Sequence, residues 1–105
     1  MKRSKRRYLL LQIDSDGALS QRDFLDAAWG SITKLYGESG ASCASLLLIN
    51  FDEDTKKALV RVSLDALQPF RASLALITRI ADREAAVHVV KVSGTIKSLR
   101  EKAAR

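Results

Sequence analysis

The chain has 105 residues, 47% hydrophobic and 6% aromatic, which suits one compact domain with an aliphatic core. One proline and five glycines exclude a low-complexity or disordered chain, and no apolar run approaches the roughly 18 residues of a membrane span. The net charge of +6 is uneven: residues 1–7 carry +5, residues 91–105 carry +4, and residues 8–90 are left with −3.

The first element expected in chain order is a strand over Tyr8–Ile13, "YLLLQI", closed by the turn-forming "DSDG". This apolar run is too short for a signal segment and leads into Asp14 and Asp16, so no targeting segment is expected. Ser20 then N-caps a helix, with Asp23 in its first turn, where the helix dipole favours an acid. Leu25, Ala28, Trp29, Ile32, Leu35 and Tyr36 form its apolar stripe, and Gly37 ends it. "ESGAS" is a loop, Ala44–Phe51 a second strand, "DEDTK" a hairpin turn and Lys57–Ser63 a third strand. Its Val60 and Val62 lie on one face, Leu59 and Arg61 on the other.

A second helix is expected from near Asp65, with Pro69 tolerable only near its start. Leu67, Phe70, Leu74, Ile77 and Ala81 are its buried stripe, and "ADRE" breaks it. Ala86–Val92 is the fourth strand, and a basic helix over 95–105 follows. The order β-α-β-β-α-β is the split βαβ, ferredoxin-like (RRM-like) arrangement. This is an α+β fold: an antiparallel sheet with two helices on one face, plus the C-terminal helix. Residues 1–7 are a basic arm, and residues 8–105 are one domain.

Alternation puts Leu9, Leu11 and Ile13 under the helices and Tyr8, Leu10 and Gln12 on the open face. In the second strand either alternate set is apolar, Leu47, Ile49 and Phe51 or Leu46 and Leu48. An open antiparallel face normally alternates to polar residues, so this one should be covered. The C-terminal helix or a second protein could cover it. Leu10, Leu46, Leu48 and Leu59 are the candidate protein-interface residues.

Catalytic chemistry is sparse. His88 sits alone in mid-strand, and Cys43 reads as a buried small hydrophobe that can form no internal disulfide, consistent with a reducing cytoplasmic compartment. "DEDT" reads as a charged turn rather than a metal loop, and "GESG" lacks the lysine of a P-loop. No catalytic residue, metal or protein-held cofactor is expected. Two basic ends on an acidic body point to a polyanion partner. The third strand carries no aromatic residue and the first offers only Tyr8, so RNA would bind through charge and shape rather than through base stacking on the sheet. Lys2, Arg3, Lys5, Arg6 and Arg7 supply charge at one end. At the other, Ser93, Gly94, Thr95 and Ile96 offer backbone amides at a helix start, with Lys97 and Arg100 one turn apart. A helix cap with a solvated tail explains the same spacing.

"RRYLLLQI", "YGESGASCASLLLINFDEDTKKALVRV", "LALIT" and "VKVSGTIKSLRE" occur in this order, in a resemblance that covers about Arg7 to Lys102. Together they resemble the archaeal and eukaryotic ribonuclease P protein component 2 (Pop-five) family. With the chain ending at Arg105, the resemblance is to the archaeal form. It implies a non-catalytic subunit of the ribonucleoprotein that removes the 5′ leader of precursor tRNA, with catalysis carried by ribonuclease P RNA and its magnesium. It also implies pairing with the barrel-shaped thirty-kilodalton component 3, and joining of two such pairs as a homodimer of this chain. Thr95, Lys97 and Arg100 would then hold RNA, with lysine at a position where arginine is common. Beside this stand a small-molecule-binding regulatory domain and a protein-interaction module whose basic ends only solvate it.

Overall fold

The computed structural model describes residues 5–43 and 46–95, and their side chains except at 38–43. In chain order the elements are β1 (Arg6–Ser15), α1 (Gln21–Cys43), β2 (Leu47–Asp52), β3 (Lys57–Ser63), a 3-10 turn (Leu64–Ala66), α2 (Leu67–Ala75), β4 (Arg79–Ile80) and β5 (Arg83–Ser93). The strands form one antiparallel sheet in the order β2-β3-β1-β5-β4. Setting the two-residue β4 aside, β1 and β3 are central and both helices pack on one face, as the ferredoxin-like reading requires. The C-terminal helix expected over 95–105 lies, beyond Thr95, outside the described residues.

Leu9, Leu11 and Ile13 of β1 and Val60 and Val62 of β3 are the floor of the main core, as alternation predicts. Phe24, Ala28 and Ile32 of α1 and Phe70 and Leu74 of α2 close it from above. The Phe24 ring stacks on Phe51 of β2 at a centroid distance of 5.6 Å. Ser73, wholly buried, donates its Oγ hydrogen to Phe70 O at 2.7 Å, and Ser31 Oγ donates to the Ser73 carbonyl. The two hydroxyls thus let the helices approach closely without leaving a polar group unpaired.

Ser20 caps α1 as expected, its Oγ accepting from the Asp23 amide at 3.1 Å. The buried stripe is displaced from the expected one. Phe24 leads it in place of Leu25, while Leu35 and Tyr36 are 43% and 42% exposed. Length explains the overshoot. At 1.5 Å per residue α2 spans about 13.5 Å, whereas α1 from Gln21 to Tyr36 spans about 24 Å, so among the described residues no helix covers its last turn. Gly37 (φ 76°, ψ 174°) breaks the helix where the sequence reading ends it, but helical backbone resumes through Cys43, across residues read as a loop.

α2 ends at Ala75, earlier than the stripe through Ala81 suggests. Ile77 remains buried beyond the helix, and Ala81 is exposed at φ 53°. Ala81 and Asp82, both at positive φ, turn β4 into β5, a hairpin absent from the sequence reading. A two-residue loop with both residues left-handed is the type I′ turn, which matches the twist of paired strands. The Asn-Gly pair that usually announces such a turn is missing here, so the sequence does not signal it.

Candidate nucleic-acid interface

Two register shifts decide what the open face carries. Between β2 and β3, Leu48 pairs with Val60 and Asn50 with Leu59, leaving Ile49 extra. Between β1 and β5, Leu10 pairs with Lys91 and Leu11 with Val89, leaving Val90 extra. Each extra residue reverses the side-chain phase after it. Leu48 and Phe51 therefore both pack toward the helices, as do Val87, Val89 and Val92. The four candidate interface leucines do not share a face. Leu46 and Leu48 pack against the main core under the helices, whereas Leu10 and Leu59 form a second cluster with Tyr8 and Ile49 on the opposite side.

Directly opposed residues of antiparallel strands share a face. The open face can therefore be read across in rows. One row runs Leu47, Arg61, Tyr8, Ser93, and the next Asn50, Leu59, Leu10, Lys91. Arg6 stands on β1 one row beyond Tyr8, opposite Ser63. These rows hold three cations and no carboxylate. Seven carboxylates lie at the other end of the sheet: Asp14 in β1 and Asp16 after it, Asp52 at the end of β2 with Glu53 and Asp54 in the turn that follows, and Asp82 and Glu84 in the β4–β5 hairpin, whereas Asp65, two residues past Ser63, lies at the basic end. A cleft of about 550 Å³ opens there between Asp14–Asp16 and the hairpin residues Arg79 and Glu84–Ala86. Asp52 Oδ1 accepts the amides of Asp54 (2.9 Å) and Thr55 (3.3 Å). Those backbone bonds, Thr55 first, hold its carboxyl below the ordinary value of 3.8.

The β1–β5 pairing also brings the start of β1 beside the end of β5. Tyr8 stands opposite Ser93, so the chain enters and leaves the sheet at the same end, on neighbouring strands. Lys5 is fastened there by its carbonyl, which accepts from the Leu64 amide at 2.8 Å. Arg6 and Arg7 belong to β1 itself rather than to an arm. Arg6 is exposed, and half-buried Arg7 donates from Nη1 to the Arg6 carbonyl at 2.9 Å. A Cβ placed on Gly94 would lie 3.8 Å from the same Nη1, so Arg7 lies against the Ser93–Thr95 junction. The Thr95 amide donates to Ser93 Oγ at 3.2 Å, which engages one of the amides expected to face an anion.

Of the sequence-derived RNA-contact candidates, Lys5, Arg6, Arg7 and Thr95 are thus gathered at one end of the sheet. Lys2, Arg3, Lys97 and Arg100 lie outside the described residues, as does the Cys43 side chain. His88 is exposed on the open face opposite Gln12. Sequence reasoning misses Arg61 and Lys91 as site residues. Arg61 alternates with Val60 and Val62, a signal for its face, but its nearness to Tyr8 and Lys91 appears only with the strand register. Among the described residues no helix is long and apolar enough to cross a membrane.

Comparison with known proteins agrees with this architecture. Residues 7–104 match the model of the Rpp14/Pop5 family. Ribonuclease P protein component 2 of Pyrococcus horikoshii is 32% identical over 95% of this chain and 83% of that protein. The protein of the same name from Methanosarcina barkeri is 33% identical over 95% of this chain and 73% of its own length. Among solved structures, a chain of yeast ribonuclease MRP superposes with a TM-score of 0.70 at 16% identity, covering 99% of this chain and 95% of that one, which shows the shared fold. The chain belongs to the Rpp14/Pop5 family.

Proposed function

We propose that this chain is a protein subunit of ribonuclease P and supports the catalytic RNA by binding its phosphates. The observation that carries this is the basic cluster where the chain enters and leaves the sheet, Lys5, Arg6 and Arg7 on β1 beside the end of β5, with Tyr8 opposite Ser93 and Arg7 against Gly94. Lysine and arginine set close together displace counterions from an RNA backbone, which yields strong, salt-sensitive binding. Family membership and relatives named for ribonuclease P support the same reading. On this reading the chain has no catalytic residue of its own, and magnesium acts with the RNA. The protein works in the cytoplasm, touches precursor tRNA only indirectly, and pairs with the component 3 protein, two such pairs joining through a homodimer of this chain.

Reconstitution tests it. The full chain and a component 3 protein are added to a ribonuclease P RNA at low magnesium, and cleavage of precursor tRNA is followed. Stimulation over RNA alone is expected, and its absence overturns the proposal. Neutralising Lys97 and Arg100 together should weaken RNA binding and flatten the dependence of log K on log salt, by about 0.7 for each phosphate that is no longer neutralised.

A further inference from the structure

We infer that the open sheet face beside the basic end is a binding site for an unpaired nucleotide, with its base on the Tyr8 ring and its flanking phosphates on Arg61 and Lys91. The inference rests on the RNA-binding reading and adds the kind of RNA, single-stranded, and the place where it lies. Tyr8 is the only aromatic residue in the open-face rows that carry Arg6, Arg61 and Lys91. It is half-buried, packed against Leu10 and Leu59, which hold it in its row and leave the rest of its surface to solvent. Arg61 faces it directly from β3 and Ser93 from β5, while Lys91 stands one step diagonal. Directly opposed side chains begin about 5 Å apart and diagonal ones about 7 Å, within reach of one nucleotide.

This combination fits an unpaired strand better than a duplex or a protein. An aromatic face receives any exposed base, while a cationic rim follows the backbone. Paired bases are already stacked and offer such a ring nothing. A protein partner would have to set carboxylates against these three cations, whereas a nucleic-acid strand presents a phosphate at every nucleotide. The segment after Thr95 is a weak competitor for the face, because residues 96–105 carry +3 and would be set against Arg6, Arg61 and Lys91. The scarcity of aromatics on two strands excludes a sheet that stacks several bases. The register restores the smaller claim of one base on one ring.

The test titrates the full chain with a fluorescent oligouridine strand and with a matched abasic strand of the same length, at several salt concentrations. The wild type should prefer the base-bearing strand. Tyr8→Leu keeps the apolar bulk and should lose roughly tenfold in affinity for oligouridine alone, removing that preference with the salt slope unchanged. Tyr8→Phe should retain the preference. Arg61→Gln, on the solvent side of the sheet, should weaken both strands and flatten the salt slope by about 0.7. Thermal unfolding of each variant shows that it is folded. If the wild type binds both strands equally, or Tyr8→Leu and Arg61→Gln bind as the wild type does, the site is not on this face, although RNA binding elsewhere would stand. If the wild type binds neither strand while it still stimulates the ribonucleoprotein, the inference alone falls. If it does neither, the RNA-binding reading falls with it.

Discussion

Gly30 and Gly37 sit seven residues apart in α1, and neither would bring a Cβ into contact with anything within 4 Å. Space being equal, the backbone alone decides what an alanine does. Gly30 is exposed in the body of the helix, so Gly30→Ala should stabilise the protein by roughly 0.5–1 kcal/mol by removing unfolded-state freedom. Gly37 stands at φ 76° and ψ 174°, a region open in practice only to glycine. Gly37→Ala should cost about 1–3 kcal/mol. Opposite shifts of the denaturation midpoint in two single variants check the pair. Asp52 gives a prediction about pH. Its folded-state pKa is depressed by the Thr55 and Asp54 amides, so it contributes stability that is fully present above its unfolded value. That contribution is lost as pH falls below 3.8 toward the folded value. Asp52→Asn keeps an acceptor oxygen but removes the charge. The stability gap between wild type and variant should therefore be largest near neutral pH and close on acidification, as urea titrations across that range would show.

The β4–β5 hairpin is the element least at ease with its own residues. Ala81 at φ 53° and Asp82 at φ 65° both hold left-handed backbone, a conformation that asparagine and glycine adopt at far lower cost. The Arg79 guanidinium braces the turn by donating to the Asp82 carbonyl at 2.7 Å. Replacing the pair by Asn-Gly leaves that carbonyl in place, and should raise stability by about 1 kcal/mol, read from chemical denaturation. The same turn shows where the sequence stops being legible. Leu9, Leu11 and Ile13 are readable because Tyr8, Gln12 and Asp14 in the other phase fix the alternation of β1, despite Leu10 between them. The runs "LLLINF" and "VHVV" carry apolar residues in both phases, so nothing local announces the extra residues at Ile49 and Val90. In α1 the stripes starting at Phe24 and at Leu25 are both apolar, and only the docking of Phe24 on Phe51 chooses between them. The candidate site is legible in the same partial way. The excess charge of the two termini is plain in composition, but the meeting of the start of β1 with the end of β5 depends on their pairing, and Arg61 and Lys91 join Tyr8 only through the register.

At the scale of the whole molecule the charge is separated along the strands. From Arg6 to Asp14 is eight residues of β1, about 27 Å at 3.4 Å per residue. The Debye length at physiological salt is about 8 Å, so charges at the acidic end act weakly on anything bound at the basic end. This makes the two ends separable by experiment. Neutralising Lys5, Arg6 and Arg7 to glutamine should lower affinity for RNA and flatten its salt dependence, by about 0.7 in slope for each phosphate left without its cation. Neutralising Asp14, Asp16 and Glu84 changes the net charge by the same amount in the opposite direction. If binding followed net charge, that second variant would bind markedly tighter with a steeper slope. If it follows the local cluster, affinity should change less than about twofold at physiological salt, and the slope should hold. Anisotropy titrations of both variants over a salt series decide between the two. The second outcome is expected, because antiparallel pairing of β1 with β5 gathers Lys5, Arg6, Arg7 and Lys91 toward one end of the sheet and leaves Asp14, Asp16 and Glu84 at the other.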